Sequence, residues 1–309
     1  MILTWGLPDD GPVVAVREQC DRLGRAKEFF LLDQRRYAEV RGDLQIQEGC
    51  LNGWLENINQ RIGFDDLTGI YIRPYPPPRQ ADGRQAPADF IFAVDRLVLS
   101  LAEIVRPWTA VVNKPSAMAS NDSKPTQSIL IAACGFRPPE TIVTNERQVA
   151  ETFLDKHGIV VYKSISGIRS IVSTFTNGQR DRLERVATCP TQFQEFIPGE
   201  DYRVHVVAGQ VFATRVVTDA VDYRYASRMG QKREMEAAEL PEEVADRCVH
   251  MTDQLDLLLS GIDLRLTPEG EWCCFEVNTS PAFSWFEDQT GQPIASAVAN
   301  VLLEGCRDR

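Results

Sequence analysis

Residues 261–283 read GIDLRLTPEGEWCCFEVNTSPAF, two apolar-rich runs separated by Thr267-Pro268-Glu269-Gly270. Pro and Gly in that tetrad are turn residues, so the stretch is a hairpin of strands Gly261–Leu266 and Glu271–Val277. A four-residue loop pairs Leu266 with Glu271 and Asp263 with Cys274. Side chains alternate faces along a strand. This register therefore places Asp263, Cys274, Glu276 and Asn278 on one face, with Asp263 and Glu276 diagonal neighbours roughly 7–8 Å apart at the backbone. Polar hairpin faces are ordinarily solvated. Here Trp272, Cys273, Cys274, Phe275 and Val277 surround Glu276, and burying an unpaired carboxylate is costly. A cation removes that cost, and two carboxylates with an amide oxygen are a hard-oxygen set suited to Mg²⁺. A one-residue slip would scatter them.

Upstream, Gln194-Glu195-Phe196-Ile197 reads as a strand running into Pro198-Gly199-Glu200-Asp201. Such a connector can offer main-chain groups to an adenine edge, and an acid just beyond it can accept from ribose hydroxyls. Lys124 opens a helix, and Lys163 ends a strand before the small-residue loop Ser164-Ile165-Ser166-Gly167. A loop of that kind can lay N–H groups over phosphate oxygens.

In this order the pieces resemble the ATP-grasp superfamily, in particular its RimK-type amino-acid ligases and the graspetide (microviridin-type) peptide maturases. The resemblance runs from about Asn113 to the C-terminus. It is carried by NDSKPTQ with Lys124, VVYKSISG with Lys163, FQEFIPGEDYRVHVV, Asp222-Tyr223-Arg224, GIDLRL and CFEVNTSPAF. It implies an α/β (α+β) ATP-grasp fold, two α+β subdomains sandwiching ATP behind a small open α/β N-terminal domain. The implied limits are residues 1–112 for the N-terminal domain, 113–190 for the central subdomain and 191–309 for the C-terminal subdomain with the metal site.

The resemblance also implies roles. Lys124, Lys163 and the loop of Ser166 and Gly167 would meet the phosphates. Gln194 would face the adenine amino group, Glu195 and Ile197 would use their backbone, and Asp201 would take the ribose. Asp263, Glu276 and Asn278 would hold two Mg²⁺ ions. Arg224, with Arg203 and Arg215, would stabilise the γ-phosphate or an acyl phosphate. Arg73, in Ile72-Arg73-Pro74, is a candidate for a substrate carboxylate because guanidinium matches carboxylate bidentately. The implied activity is ATP- and Mg²⁺-dependent ligation of a carboxylate to an amine through an acyl phosphate, on an amino acid, peptide or protein. The alternative is a graspetide-type maturase that makes ester or amide crosslinks in a ribosomal precursor peptide, to which PPETIVTN and CPTQFQEFI are similar. A non-catalytic nucleotide-binding protein has no need of the metal triad, and a kinase would stop at phosphoryl transfer.

The N-terminal part alternates strands (Met1–Trp5, Phe29–Leu32, Gly69–Ile72, Ala110–Asn113) with helices (Pro12–Leu23, Phe90–Val105), an open α/β pattern. Further on, a helix capped by Asn121 or Asp122 is expected, then strands Thr141–Thr144, Ile159–Lys163 and Arg169–Phe175. Thr191–Ile197 enters a third unit with the hairpin Tyr202–Val207/Gln210–Val217, and Asp219–Glu239 reads as a polar connection.

The 309 residues carry 44 acidic against 33 basic side chains, a formal charge of −11, which disfavours a nucleic-acid partner. Phe90–Val105 contains Asp95, Arg96 and Glu103, so no membrane span is expected. The N-terminus lacks a basic, then apolar signal pattern. The eight cysteines form no C-x-x-C pair and His157, His205 and His250 stand far apart, so neither zinc nor a disulfide framework fits. A cytoplasmic protein with reduced thiols is expected. A homo-oligomer is possible, with a symmetric dimer the default.

Overall fold

The structure is a computed structural model, and it describes residues 1–75, 87–164, 173–218 and 233–306. The first 113 residues hold strands β1 (Ile2–Gly6), β2 (Phe29–Asp33), β3 (Arg41–Gln47), β4 (Cys50–Glu56), β5 (Arg61–Gly63), β6 (Gly69–Ile72) and β7 (Ala110–Val112), with helices α1 (Gly11–Arg22) and α2 (Ala88–Ile104). β2, β1, β6 and β7 form a parallel sheet in that order. Every residue of β1 and β6 is buried, as a parallel sheet covered on both faces requires. One face carries α1 together with the chain's last helix. The other carries α2 and the three-stranded meander β3–β5, whose Leu51, Leu55 and Ile62 fill the gap. The meander was not expected, because its polar first strand, RGDLQIQ, is almost wholly exposed.

Next come α3 (Pro115–Met118), α4 (Lys124–Ala133), β8 (Thr141–Thr144), α5 (Arg147–His157), β9 (Ile159–Ser164), β10 (Ser173–Thr176) and β11 (Thr191–Glu195). Ser123 occupies the N-cap of α4, not Asn121 or Asp122 as expected. The central sheet runs β10-β9-β11-β8 and is antiparallel. α5 packs on it through Ala150, Phe153 and Leu154. The strand at Thr191, expected to open the third unit, instead lies between β8 and β9, because Phe193 completes the central core.

The C-terminal part holds β12 (Glu200–Val207), β13 (Gln210–Thr218), β14 (Arg233–Ala238), α6 (Glu242–Gln254), β15 (Leu259–Leu266), β16 (Trp272–Asn278), α7 (Ser284–Thr290) and α8 (Ile294–Glu304). The antiparallel order is β14-β13-β12-β15-β16. β14 takes up part of the expected polar connection. α6 and α4 cover one face through Ile131, Val244, Cys248 and Met251. α7 sits on the other face, with Phe286 against Val216. α8 returns to the N-terminal sheet, where Gly69 lets it approach: a Cβ there would lie 2.5 Å from the Leu302 carbonyl oxygen. No helix among the described residues is long and apolar enough to cross a membrane.

The β15/β16 register differs from expectation. Leu266 faces Trp272 and Leu264 faces Cys274, one residue off, and then Asp263 faces Glu276 directly. Phe275 is the extra residue of a bulge. The bulge reverses the alternation, so Cys274 and Val277 both turn into the core while Glu276 and Asn278 stay with Asp263. Cys274 therefore does not share the carboxylate face.

Candidate functional site

The register of three strands assembles one polar face. On β12, Asp201, Arg203 and His205 stand opposite Arg265, Asp263 and Gly261 of β15. Across β15, Asp263 and Gly261 meet Glu276 and Asn278 of β16. With a period of two, all eight residues share a side. They make two neighbouring cross-strand ion pairs: Arg203 Nη1 donates to Asp263 Oδ1 at 2.7 Å, and Arg265 Nη2 lies 2.7 Å from Asp201 Oδ1. Arg203 is 5% exposed. Gly261 makes room for its guanidinium, because a Cβ there would lie 2.2 Å from Arg203 Nη2 and 2.7 Å from Pro281 Cβ.

α4 supplies the next cation. Lys124 Nζ donates to Glu276 Oε1 at 2.7 Å. Three residues on, one helical turn away on the same face, Gln127 clamps the outer edge of β16. Its Nε2 donates to the Val277 carbonyl at 2.7 Å and its Oε1 accepts the Val277 N–H at 3.0 Å. The Arg137 carbonyl accepts the Cys274 N–H at 3.0 Å beside the bulge. This edge of the sheet is thus covered, as an edge carrying a functional site needs to be.

Apart from Lys124 and Asp201, the residues expected around a nucleotide that the structure describes lie on β9 and on or just beyond β11. Lys163 stands on β9 opposite Gln192, and buried Gln194 donates from Nε2 to Thr141 Oγ1 at 3.0 Å. The Glu195 carboxylate accepts from Arg137 Nη2 at 2.8 Å and from the Glu140 N–H at 2.7 Å. The Glu195 N–H donates to the Glu140 carbonyl, and the Ile197 carbonyl accepts from Arg265 Nη1 at 2.7 Å. Arg265 thereby ties Ile197 and Asp201 to the carboxylate hairpin.

Two expectations are corrected. Arg215 stands opposite Tyr202, one residue out of phase with Arg203, and so on the other face of the sheet. There Glu200 and Glu236 hold it at 2.7 and 2.8 Å, which removes it from the carboxylates. Arg73 is only 6% exposed, and its guanidinium is committed inside the protein to Asp10, Ser280 and Pro281. It is not presented to a substrate carboxylate. Ser166, Gly167 and Arg224 lie outside the described residues.

Sequence reasoning missed Gln127, Gly261, Arg265 and His205. All four sit inside the quoted motifs, but their tasks are set by partners far away in the chain. His205 is buried against Phe286, and Arg203 Nε donates to its Nε2 at 3.5 Å. Burial, and then the Arg203 charge, hold its pKa well below the usual histidine range. It is a neutral acceptor behind the arginine. Burial pushes the Cys274 thiol far up, and the Cys248 thiol up to about 12, so neither is a nucleophile.

The donor set fits Mg²⁺: two carboxylates directly opposite each other, with the Asn278 amide two residues beyond Glu276. The same carboxylates already face Lys124 and Arg203, the side chains suited to phosphate oxygens.

Residues 120–302 match the RimK-like ATP-grasp domain. No curated protein matches the chain. Among solved structures, a RiPP-associated ATP-grasp ligase of Chryseobacterium gregarium in complex with ADP and a leader and core peptide is 22% identical. The match covers 100% of this chain and 99% of that one with a TM-score of 0.81. The ATP-grasp ligase PsnB, complexed with a phosphomimetic variant of its minimal precursor, Mg and ADP, is 27% identical over 98% of this chain and 97% of that one (TM-score 0.79). The macrocyclase MdnC of Microcystis aeruginosa MRC, bound to the precursor peptide MdnA, is 21% identical over 98% and 99% (TM-score 0.79).

Proposed function

The chain belongs to the RimK-like ATP-grasp family and has its fold, and on that premise we propose that it is an ATP- and Mg²⁺-dependent ligase acting on a peptide. The observation that carries the reading is the interleaving of Asp263 and Glu276 with Arg203 and Lys124 on one face. Acids alone would suit a metal, and bases alone a phosphate. Alternating within hydrogen-bond reach, they suit a metal bound to a polyphosphate.

Asp263, Glu276 and Asn278 would hold Mg²⁺, which supplies charge neutralisation to the phosphates when bound. Lys124, Lys163 and Arg203 would orient and neutralise phosphate oxygens, with Arg224, Ser166 and Gly167 as further members by family likeness. The Ile197 N–H and the Glu195 carbonyl are the main-chain groups suited to an adenine edge, because the Glu195 N–H and the Ile197 carbonyl bond within the protein. Asp201 would serve the ribose while keeping Arg265 beside it. Transfer of the γ-phosphoryl to a carboxylate makes an acyl phosphate, a good electrophile at neutral pH, which an amine or hydroxyl then attacks. No protein nucleophile is needed, consistent with the protonated thiols of Cys248 and Cys274.

A peptide substrate is supported by the full-length likeness to PsnB, whose structure holds a precursor peptide. The test is ADP release with synthetic acidic peptides that also carry Lys, Ser or Thr, compared with free amino acids, followed by product mass. The reading expects peptide-dependent ADP release and loss of one water per bond formed. Hydroxylamine lability of the product separates ester from amide. ADP release with free amino acids and none with peptides would move the chain to small-molecule ligation. Phosphopeptide product would make it a kinase.

A further inference from the structure

Arg73 bridges the N-terminal sheet and the segment that follows the carboxylate strand. It lies just past β6, and its Nε and Nη2 donate to the Asp10 carboxylate at 2.7 and 3.3 Å. Tyr75 Oη donates to the same carboxylate at 2.6 Å. Arg73 Nη1 donates to the Ser280 carbonyl at 2.9 Å, to Ser280 Oγ at 3.0 Å and to the Pro281 carbonyl at 3.0 Å. Ser280 in turn donates its N–H to Asn278 Oδ1 at 2.9 Å. An unbroken chain of hydrogen bonds thus runs from Asp10 through Arg73 and Ser280 to the amide oxygen of the hairpin's third donor. Asn113 braces the same segment independently, donating from Nδ2 to the Leu259 and Thr279 carbonyls at 2.7 and 2.6 Å.

An ion pair whose two side chains are each 6% exposed holds its geometry far more firmly than a surface pair. Asn278 ends β16, so the ladder holds its backbone opposite Gly261, and the Ser280 N–H of the irregular segment beyond it bonds its side-chain oxygen. We propose that Arg73, fixed by Asp10, is a positioning residue that sets the Asn278 amide oxygen for Mg²⁺, so that the N-terminal domain tunes the metal affinity of the C-terminal sheet. The inference rests on the proposed Mg²⁺–nucleotide site.

The test measures ADP affinity by calorimetry with and without Mg²⁺ in the full chain, with no turnover required. In the native chain Mg²⁺ tightens ADP binding. The double variant Asp10→Asn/Arg73→Gln removes both buried charges together and keeps similar shapes. It is expected to lose about tenfold in Mg²⁺-dependent ADP affinity while its Mg²⁺-free ADP affinity stays within twofold. A merely structural role would lower the melting temperature and leave the Mg²⁺ response of the folded protein unchanged, and that result overturns the inference. Should the double variant fail to fold, Arg73→Lys keeps a cation beside Asp10 but lacks the planar fork. An Mg²⁺-specific loss of about threefold then supports the inference, and an unchanged response overturns it. A native chain whose ADP affinity ignores Mg²⁺ would instead sink the proposed site itself, and this inference with it.

Discussion

At the scale of single residues, the site is a set of charges that neutralise one another. Glu276→Gln keeps the shape of the side chain and removes one charge from the face proposed to hold Mg²⁺. It also weakens the hold on Lys124, whose partner is that carboxylate. We expect a folded protein whose Mg²⁺-dependent ADP affinity falls at least tenfold, read by calorimetry. Gly261→Ala tests the floor under Arg203. The new methyl would collide with the guanidinium and with Pro281, so the protein should lose about 1–3 kcal/mol in urea unfolding, the usual cost of overpacking. Its ADP affinity should fall more than its stability alone explains. His205 carries a pH signature. Its folded pKa is held below the unfolded value by burial and by Arg203, so the unfolded chain binds more protons at acid pH. The stability due to its neutral burial is present above the unfolded histidine pKa of about 6.5 and is lost as pH falls below it, by about 1 kcal/mol over the first unit. His205→Gln should flatten that part of the pH profile in urea titrations. A native profile that is already flat between pH 7 and 5.5 would contradict the assignment. That Asp263, Glu276 and Asn278 share one face was legible in the sequence, because they sit in short, strongly apolar strands. The tasks of Arg73 and Arg215 were not, since an isolated arginine does not show which side of a sheet it will occupy.

At the scale of elements, the carboxylate hairpin works because its edge is held from outside. Gln127 on α4 supplies both a donor and an acceptor to Val277, and the Arg137 main chain reaches Cys274 beside the bulge at Phe275. Gln127→Ala should leave the Val277 N–H and carbonyl without their partner in a buried place, at a cost of about 1–3 kcal/mol for each group left unpaired. It should also free α4 to shift Lys124. Hydrogen exchange should then quicken at Val277 more than at Ile262, on the neighbouring strand. Equal, unchanged protection at both would show that α4 does not brace the strand. The same contacts explain the error in register. A four-residue loop implied simple alternation from Leu266 to Asp263, but the bulge lies where segments more than a hundred residues upstream bond to the strand, which local pattern cannot report. β14 was hidden for a different reason. Among the described residues β14 is an edge strand, which fits the polar sequence REMEAA, since charged edges resist pairing with other chains. The parallel strands β1 and β6, buried on both faces, were read nearly to their ends.

At the scale of the whole molecule, the three larger of the four described sheets are joined by elements that leave their own neighbourhood. α8 crosses from the C-terminal part to cover the N-terminal sheet, α4 leaves the central part to brace β16, and Arg73 holds the segment after it. A sequence read in consecutive domains does not show such exchanges, although it marked the order of the motifs. Their consequence is that nucleotide and metal should bind as one event. Lys124 and Arg203 already hold the carboxylates, so metal alone must compete with two cations, and phosphate alone must compete with two acids. The central claim is tested most directly by titrating the chain calorimetrically with Mg²⁺ alone, with ADP alone, and with ADP at saturating Mg²⁺. The account predicts weak binding of either partner alone and binding at least tenfold tighter when both are present, with Glu276→Gln erasing the difference. ADP affinity that is the same with and without Mg²⁺ in the native chain would contradict it.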